Sequence, residues 1–381
     1  MEAKSKRVIN VEILRLIGCI IVIGQHIKLP FINDNNIDIG RLSIASLFAD
    51  NVAIFFMITG FFWFNGKSYK KIVKNTITKI LVPALLLIAF SQIFLDWLTN
   101  TKTFLYCLQN PKIDFNLVLS NLFNWKTNIP ACIHLWYICS YLKCVLWYPI
   151  LNIISKDEKE TIFARKIMLV WVVLEIIVMV IQNFYTLPFG KISFFTSVDK
   201  GIFWIMIGKE IYKKIDKIKE NKKIRIIGAF MVVFGNIIRI IAQYFACKFD
   251  ITNQVFFSWG YGFTYITAIG LALFILSFDF KPNKINNCLL FLASKTYYIY
   301  LVHWAVMEKL KNVSQNIFNI LGNNRMNFLG ENLYTIINIL MVFVVSLIVS
   351  VIIEMVWKLI KNIFFKIQKI IIKDKSLNEG C

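Results

Sequence analysis

The stretch VINVEILRLIGCIIVIGQHIKL, residues 8–29, decides the fold of this chain. It is long and apolar enough to cross the hydrocarbon core of a bilayer, yet it carries Glu12, Arg15 and His26. Arg15 and His26 are 11 residues apart. On a helix they lie within about 20° of each other and about 16 Å apart along the axis. The stretch therefore predicts a membrane helix with a cation near one end and a titratable ring near the other.

Small residues separate the arginine and the histidine on this helix face. They are Gly18, Cys19 and Val22. Their size predicts a narrow groove that runs from Arg15 to His26 and holds a thin ligand.

The composition places the chain among polytopic membrane proteins. Of its 381 residues 57% are hydrophobic, the mean hydropathy is +0.63, and long apolar runs recur along the whole length. A net charge of +21 would suit a nucleic-acid-binding protein. However, the lysines and arginines cluster in short loops between apolar runs, which is how cytoplasmic loops are marked. Membrane lipids are therefore the predicted surroundings, and no nucleic acid is predicted as a partner.

Apolar segments predict an all-α, polytopic bundle of about ten spans. The spans fall near residues 8–29, 43–64, 77–98, 132–154, 166–184, 192–211, 224–246, 255–278, 287–308 and 333–360. Basic residues concentrate in alternate loops, most densely between residues 209 and 225. This alternation predicts that both termini are cytoplasmic. The first apolar run resembles a signal peptide, but its charges and its lack of a small-residue cleavage site favour a retained span.

Residues 1–360 are predicted to form one membrane domain, followed by a basic cytoplasmic tail at 361–381. Within the tail, lysines alternate with apolar residues over 361–375, which predicts an amphipathic helix on the inner leaflet. The longest segment outside the spans, 99–131, contains prolines and asparagines and is predicted to be an irregular outer cap.

The chain has three histidines, His26, His134 and His303, and the predicted topology places each at the outer end of a span. A single histidine near an interface is usually a packing residue, but three at one depth favour a reactive site. A neutral imidazole can take a proton from a hydroxyl group and return it to a leaving group. Asp50 lies at the same depth, where it would either orient an imidazole or make an ordinary interhelical hydrogen bond.

The cytoplasmic side carries basic residues instead. Arg15, Lys74 and Lys79 would form a cationic mouth there. Lysines in loops often mark topology only. Arg15 either pairs with Glu12, three residues earlier, or seats the phosphates of a cytosolic cofactor through its forked guanidinium. Glu175, midway along the fifth span, is a further candidate for a proton or substrate contact.

The eight cysteines predict no metal site, because they form no CxxC pair and show no zinc-ligand spacing with histidine. Cys107 and Cys132 both fall in the outer loop. A disulfide between them is one option, and two free thiols are the other.

Four segments of this chain, in order, resemble the acyltransferase type 3 family, integral-membrane acyltransferases that are mostly bacterial O-acetyltransferases of envelope glycans. The segments are Arg15 to His26 preceded by Glu12, then NVAIFFMITG at 51–60, HLWY at 134–137 followed by Pro149, and YIYLVH at 298–303. Two departures are visible. Lys79 stands where members often have arginine, which removes the bidentate fork, and Thr59 replaces the family's serine before Gly60.

The resemblance implies a multi-pass protein of the bacterial plasma membrane that uses cytoplasmic acetyl-CoA. The acceptor would be a hydroxyl group of an extracytoplasmic glycan or lipid-linked sugar. The implied catalytic set is His26, Arg15, His134 and His303. His26 would be the general base or a transient acyl carrier, and Arg15 and Lys79, with Lys74, would bind the CoA phosphates. His134 and His303 would shape the acceptor site.

A non-enzymatic transporter or substrate-presenting module on the same scaffold is the alternative. Intramembrane charges such as Glu175, Asp199 and Arg239 would suit a permeation path. No inverted repeat of the kind that transporters show is visible, which argues against it.

Overall fold

The computed structural model describes most of the chain, and the described residues are almost entirely helical. They are residues 9–33, 36–49, 51–64, 68–114, 116, 130–156, 158–184, 197–248, 262–280, 284–322 and 328–378. One antiparallel hairpin, of strands β1 (Ile32–Asn33) and β2 (Asn36–Ile37), interrupts the helices and pairs Ile32 with Ile37.

The helices follow one another with short breaks. Their bounds are α1 Ile9–Ile27, α2 Ile39–Leu47, α3 Asn51–Trp63, α4 Tyr69–Thr76, a π-helical segment Ile77–Leu81, α5 Val82–Ile93, α6 Leu95–Leu98, α7 Phe104–Gln109, a 3₁₀ turn Pro130–Leu135, α8 Trp136–Ile154, α9 Lys159–Phe184, α10 Ser197–Lys213, α11 Ile215–Ile218, α12 Lys222–Lys248, α13 Gly262–Leu276, α14 Lys284–Gly322 and α15 Phe328–Asn378.

Each of the ten predicted spans contains helical residues, but not all of these helices have the length and hydropathy expected of a membrane span. Six stretches of the described chain do: Ile9–Ile27, Ile39–Trp63, Tyr69–Ile93, Trp136–Ile154, Lys222–Lys248 and Gly330–Lys358. A shorter apolar helix covers Gly262–Leu276. The all-helical class is thus confirmed, with six candidate membrane-spanning helices in the described chain, while the count of ten and the cytoplasmic termini stay predictions.

Helix α1, the stretch that opens the chain, packs against α3, α13, α14 and α15. It is mostly apolar and ends at Ile27, shortly before Pro30, since a proline disfavours helical geometry in the residue that precedes it. Its burial explains why Glu12 needs a partner, since an isolated buried charge is costly. The family-like stretch at residues 8–29 therefore forms a central helix of the bundle.

Helices α3 and α10 cross with their backbones in contact. A Cβ atom at Gly60 would lie 1.8 Å from the carbonyl oxygen of Ile205, and one at Gly208 would lie 1.9 Å from that of Met57. Only glycine allows two helix backbones to approach so closely, which is how small residues serve membrane helix packing. The glycine that ends the 51–60 motif therefore has a packing role.

The third predicted span contains a local change of helix type. At the π-helical segment Ile77–Leu81, the Val82 N–H donates to the carbonyl of Ile77, five residues back. Pro83 follows directly and has no N–H with which to continue the α-helical pattern. The Tyr297 hydroxyl of α14 donates to the carbonyl of Ile80 at 2.6 Å and so binds this segment.

Two expectations for the outer loop change. The loop is not wholly irregular, because α7 forms there, started by a hydrogen bond from the Tyr106 N–H to the Thr103 hydroxyl. Cys107 and Cys132 are free thiols, so the disulfide option is wrong. In the tail, the helix predicted over 361–375 is found as the continuation of α15, which extends to Asn378 and has no glycine or proline between residues 331 and 378. Its location on the inner leaflet stays a prediction.

Candidate active site

The three histidines lie side by side. The ring centroids of His134 and His303 are 4.6 Å apart, and those of His26 and His303 are 5.5 Å apart in a stacked arrangement. The structure therefore brings together the three residues that topology had placed at one depth.

Three separate elements supply these rings. His26 stands in the last turn of α1, His134 in the 3₁₀ turn that leads into α8, and His303 within α14. The His134 and His303 side chains are 3% and 0% exposed, whereas His26 is only partly buried. Of the three imidazoles, His26 is thus the one that a substrate reaches most easily.

Hydrogen bonds to backbone carbonyls fix two of the imidazoles. His303 Nδ1 lies 2.6 Å from the carbonyl of Tyr300, and His134 Nε2 lies 3.1 Å from that of Leu301. A carbonyl oxygen only accepts, so each of these ring nitrogens carries the hydrogen. The opposite nitrogens are buried and have no hydrogen-bond partner within the described part of the chain. A proton on either would be a buried, unsatisfied donor, so both carry lone pairs.

An aromatic wall borders the histidines. The indole of Trp304 meets the His26 ring edge-on at 4.5 Å and lies parallel to the His134 ring at 6.1 Å. The Tyr300 ring lies 5.2 Å from that of His134. In the structure Trp304 and Tyr300 pack on the imidazoles themselves.

At the other end of α1, Arg15 makes the ion pair that its spacing predicts. Its guanidinium lies 2.6 Å from the Glu12 carboxylate, and the side chains are 27% and 6% exposed. The Glu12 side chain is thus nearly enclosed, whereas part of the Arg15 side chain remains accessible. Pairing with Glu12 and binding of an anion are therefore compatible at this arginine.

The basic residues of the predicted cationic mouth are less closely associated with one another than expected. Lys74 lies in the last turn of α4, Lys79 lies in the π-helical segment, and both side chains are exposed. Within the described residues no hydrogen bond or ion pair joins either lysine to Arg15. The structure places both lysines at the protein surface.

The predicted groove between Arg15 and His26 is wrong for this conformation. Cys19 and Val22 are buried in the hydrophobic core. A Cβ atom at Gly18 would meet the side chains of Ile54 and Phe55 from α3 at 3.1 and 3.5 Å. Because small residues invite a neighbouring helix as readily as a ligand, α3 fills the space that the sequence left open.

The other candidates from the sequence are Asp50, Glu175, Asp199 and Arg239. Asp50 and the side chains of Glu175 and Asp199 lie outside the described residues. Arg239 is fully buried elsewhere in the bundle and donates to the carbonyl of Ser46 at 2.6 Å and to the Thr267 hydroxyl. Within the described chain, no group of three or more His, Cys, Asp or Glu side chains is arranged to hold a metal ion.

Comparison with known proteins gives one match. A family model described as an acyltransferase domain, of type 3, matches residues 8–355, which is nearly the whole chain. No curated protein and no solved structure matches.

Proposed function

Because the chain belongs to the acyltransferase type 3 family, we propose that it moves an acetyl group from cytoplasmic acetyl-CoA to a hydroxyl group outside the membrane. The acceptor would belong to an envelope glycan or a lipid-linked sugar, and the membrane would be the bacterial plasma membrane. Transferase chemistry in a membrane protein follows from the family. The donor, the acceptor and the direction of transfer are the proposal.

The contact among three imidazoles carries this proposal. Transfer to an alcohol needs a group that takes the hydroxyl proton as the oxygen attacks the acyl carbon. His134 and His303 each present a buried nitrogen with a free lone pair, held by a hydrogen bond on the opposite side of the ring. Such fixed acceptors are positioned in advance of the reaction, which avoids the cost of orienting them during it.

His26 is the group that we place at the reacting atoms. As a general base it would take the acceptor's proton while the oxygen bonds to the acetyl carbon and the CoA thiolate leaves. As an acyl carrier its nitrogen would first attack the acetyl carbon, displace the CoA thiolate and form an acetyl-imidazole. The acceptor hydroxyl would then attack the same carbon, and the imidazole would leave. Its partial exposure and its contact with His303 suit either role.

Arg15 would bind a phosphate of the donor at the cytoplasmic end of α1. A guanidinium matches phosphate oxygens with two parallel hydrogen bonds, and this one keeps exposed surface beside Glu12. Lys74 and Lys79 would add charge to the same mouth, although neither has the arginine fork. Because α3 fills the face between Arg15 and His26, the pantetheine arm would have to displace side chains such as Phe55.

We expect Arg15→Ala to raise the KM for acetyl-CoA about tenfold, as loss of one hydrogen bond to a charged group implies. The measurement is steady-state release of free CoA at varied donor concentration. Glu12→Gln/Arg15→Ala is the matched control, because it removes the uncompensated carboxylate that Arg15→Ala leaves behind. If the double variant recovers the wild-type KM, Arg15 serves only as the counterion of Glu12.

Acetyl-CoA labelled in its acetyl group tests the proposal as a whole. We expect purified protein in proteoliposomes to release free CoA and to place label on an added envelope glycan. A transporter or presenting module would give neither label nor free thiol, and that outcome would overturn the proposal.

A further inference from the structure

A deep groove opens on the side of the bundle formed by α5, α14 and α15. It has a volume of about 570 Å³, within the usual range of small-molecule sites. Along α14 its lining extends from Tyr298 to Leu310, about 18 Å or more than half the hydrocarbon thickness of a bilayer. The groove is therefore elongated along the membrane normal.

The groove faces lipid. Leu86 on α5 and Val356 on α15 line it and are 52% and 50% exposed. Nearly all of the lining is aliphatic or aromatic, from Trp97 near one end to Trp357 near the other. A hydrocarbon chain is the matching occupant, because its burial in such a slot requires no polar partner.

One cation, Lys309, stands in the lining at the end that the predicted topology places outside. Its ammonium group donates to the carbonyl of Trp97 at 2.9 Å and to the Asn100 side-chain oxygen at 2.7 Å. It also lies 4.5 Å from the centre of the Trp97 ring. Both acceptors are uncharged, and the two bonds use two of the three ammonium N–H groups. The positive charge is thus held in place at the mouth of the groove.

From these features we propose that the groove binds one chain of an anionic phospholipid, with the lipid phosphate on Lys309. The chain lies along α14 between α5 and α15, and the phosphate sits at headgroup depth. The single positive charge of Lys309 favours a headgroup of net negative charge, and the length of the groove along α14 favours a long chain. Because the proposal concerns binding, it is tested without a measurement of acyl transfer.

Native mass spectrometry of the full chain in detergent tests this site, with phosphatidylglycerol and phosphatidylcholine of the same chains as probes. We expect one phosphatidylglycerol to be retained in preference to phosphatidylcholine. Lys309→Gln should weaken that preference about fivefold, the value of one basic residue near an anionic surface. Lys102→Gln is the matched control, since Lys102 is another outer lysine over an aromatic ring, that of Tyr106.

Quenching by bromine-labelled chains locates the lipid. Brominated phosphatidylglycerol should quench a fraction of the tryptophan fluorescence, and this quenching should saturate as the lipid concentration rises. The Trp357→Phe variant should lose much of this saturable quenching. Ala305→Phe, which fills the groove, should abolish both retention and saturable quenching, whereas Val233→Phe on the exposed face of α12 should not. Equal retention of the two lipids, or quenching that never saturates, would mean ordinary annular lipid and would overturn the proposal.

Discussion

Replacement of His26 with alanine is expected to abolish acetyl transfer. Loss of a positioned general base typically costs a factor of about 10² to 10⁴, and loss of an acyl-carrying nucleophile costs at least as much. His26 is the most accessible of the three imidazoles and touches both His303 and Trp304. The measurement is the rate at which labelled acetate appears on the glycan per folded protein.

The control for this variant is Ile27→Ala, the next residue on α1, which removes apolar surface without removing a base. Both variants should enter the membrane and elute as the wild-type protein does in detergent. If His26→Ala acetylates the glycan at the wild-type rate, His26 has no part in the chemistry. In that case the lone pairs of His134 and His303 would be the next candidates for the base.

Gly60→Ala should produce the largest loss of stability. The added Cβ would lie 1.8 Å from the carbonyl oxygen of Ile205, so α3 and α10 would have to move apart. Overpacking costs about 1–3 kcal/mol when side chains yield, and a rigid backbone neighbour should place this variant at or above the upper end. We expect a clear drop in the apparent melting temperature of this variant. The measurement is size-exclusion chromatography of heated samples.

Gly18→Ala is the matched control for that experiment. Its Cβ would meet the Cγ2 methyl group of Ile54 at 3.1 Å, so this side chain would have to yield by only a few tenths of an ångström, whereas at Gly60 a backbone would have to move. Its melting temperature should therefore lie close to that of the wild type. Equal thermal stability of Gly60→Ala and Gly18→Ala would show that the α3–α10 crossing is not as tight as its backbone distances indicate.

Hydropathy predicted where the helices lie, because spanning a bilayer demands long apolar runs whatever the fold. The same argument predicted that His26, His134 and His303 lie at one depth, since alternating loop charge indicates which end of each span is outer. Their contact required the packing of α1, α14 and the 3₁₀ turn, which depth alone does not give. Topology could not predict the ring tautomers. These depend on the carbonyls of Tyr300 and Leu301, and only the spacing of Tyr300 and His303 on one helix turn hinted at one of them.

Small residues misled the interpretation of α1. Gly18 predicted space for a ligand, but it equally permits close approach of another helix, and the side chains of α3 occupy the site. The sequence could not distinguish these outcomes, because both need the same absence of a side chain. Charge was also ambiguous. Glu12 three residues before Arg15 predicted the ion pair, but not that the Arg15 side chain would stay partly exposed beside it.

The π-helical segment Ile77–Leu81 also alters the angular register of the chain before it. A π-helical turn accommodates one residue more than an α-helical turn, so everything on its N-terminal side is rotated by about 100°. A helical wheel drawn through residues 69–93 as one regular helix therefore assigns Lys74 to the wrong side. Deletion of a single residue from the segment would restore the regular repeat and turn that lysine toward a different neighbour.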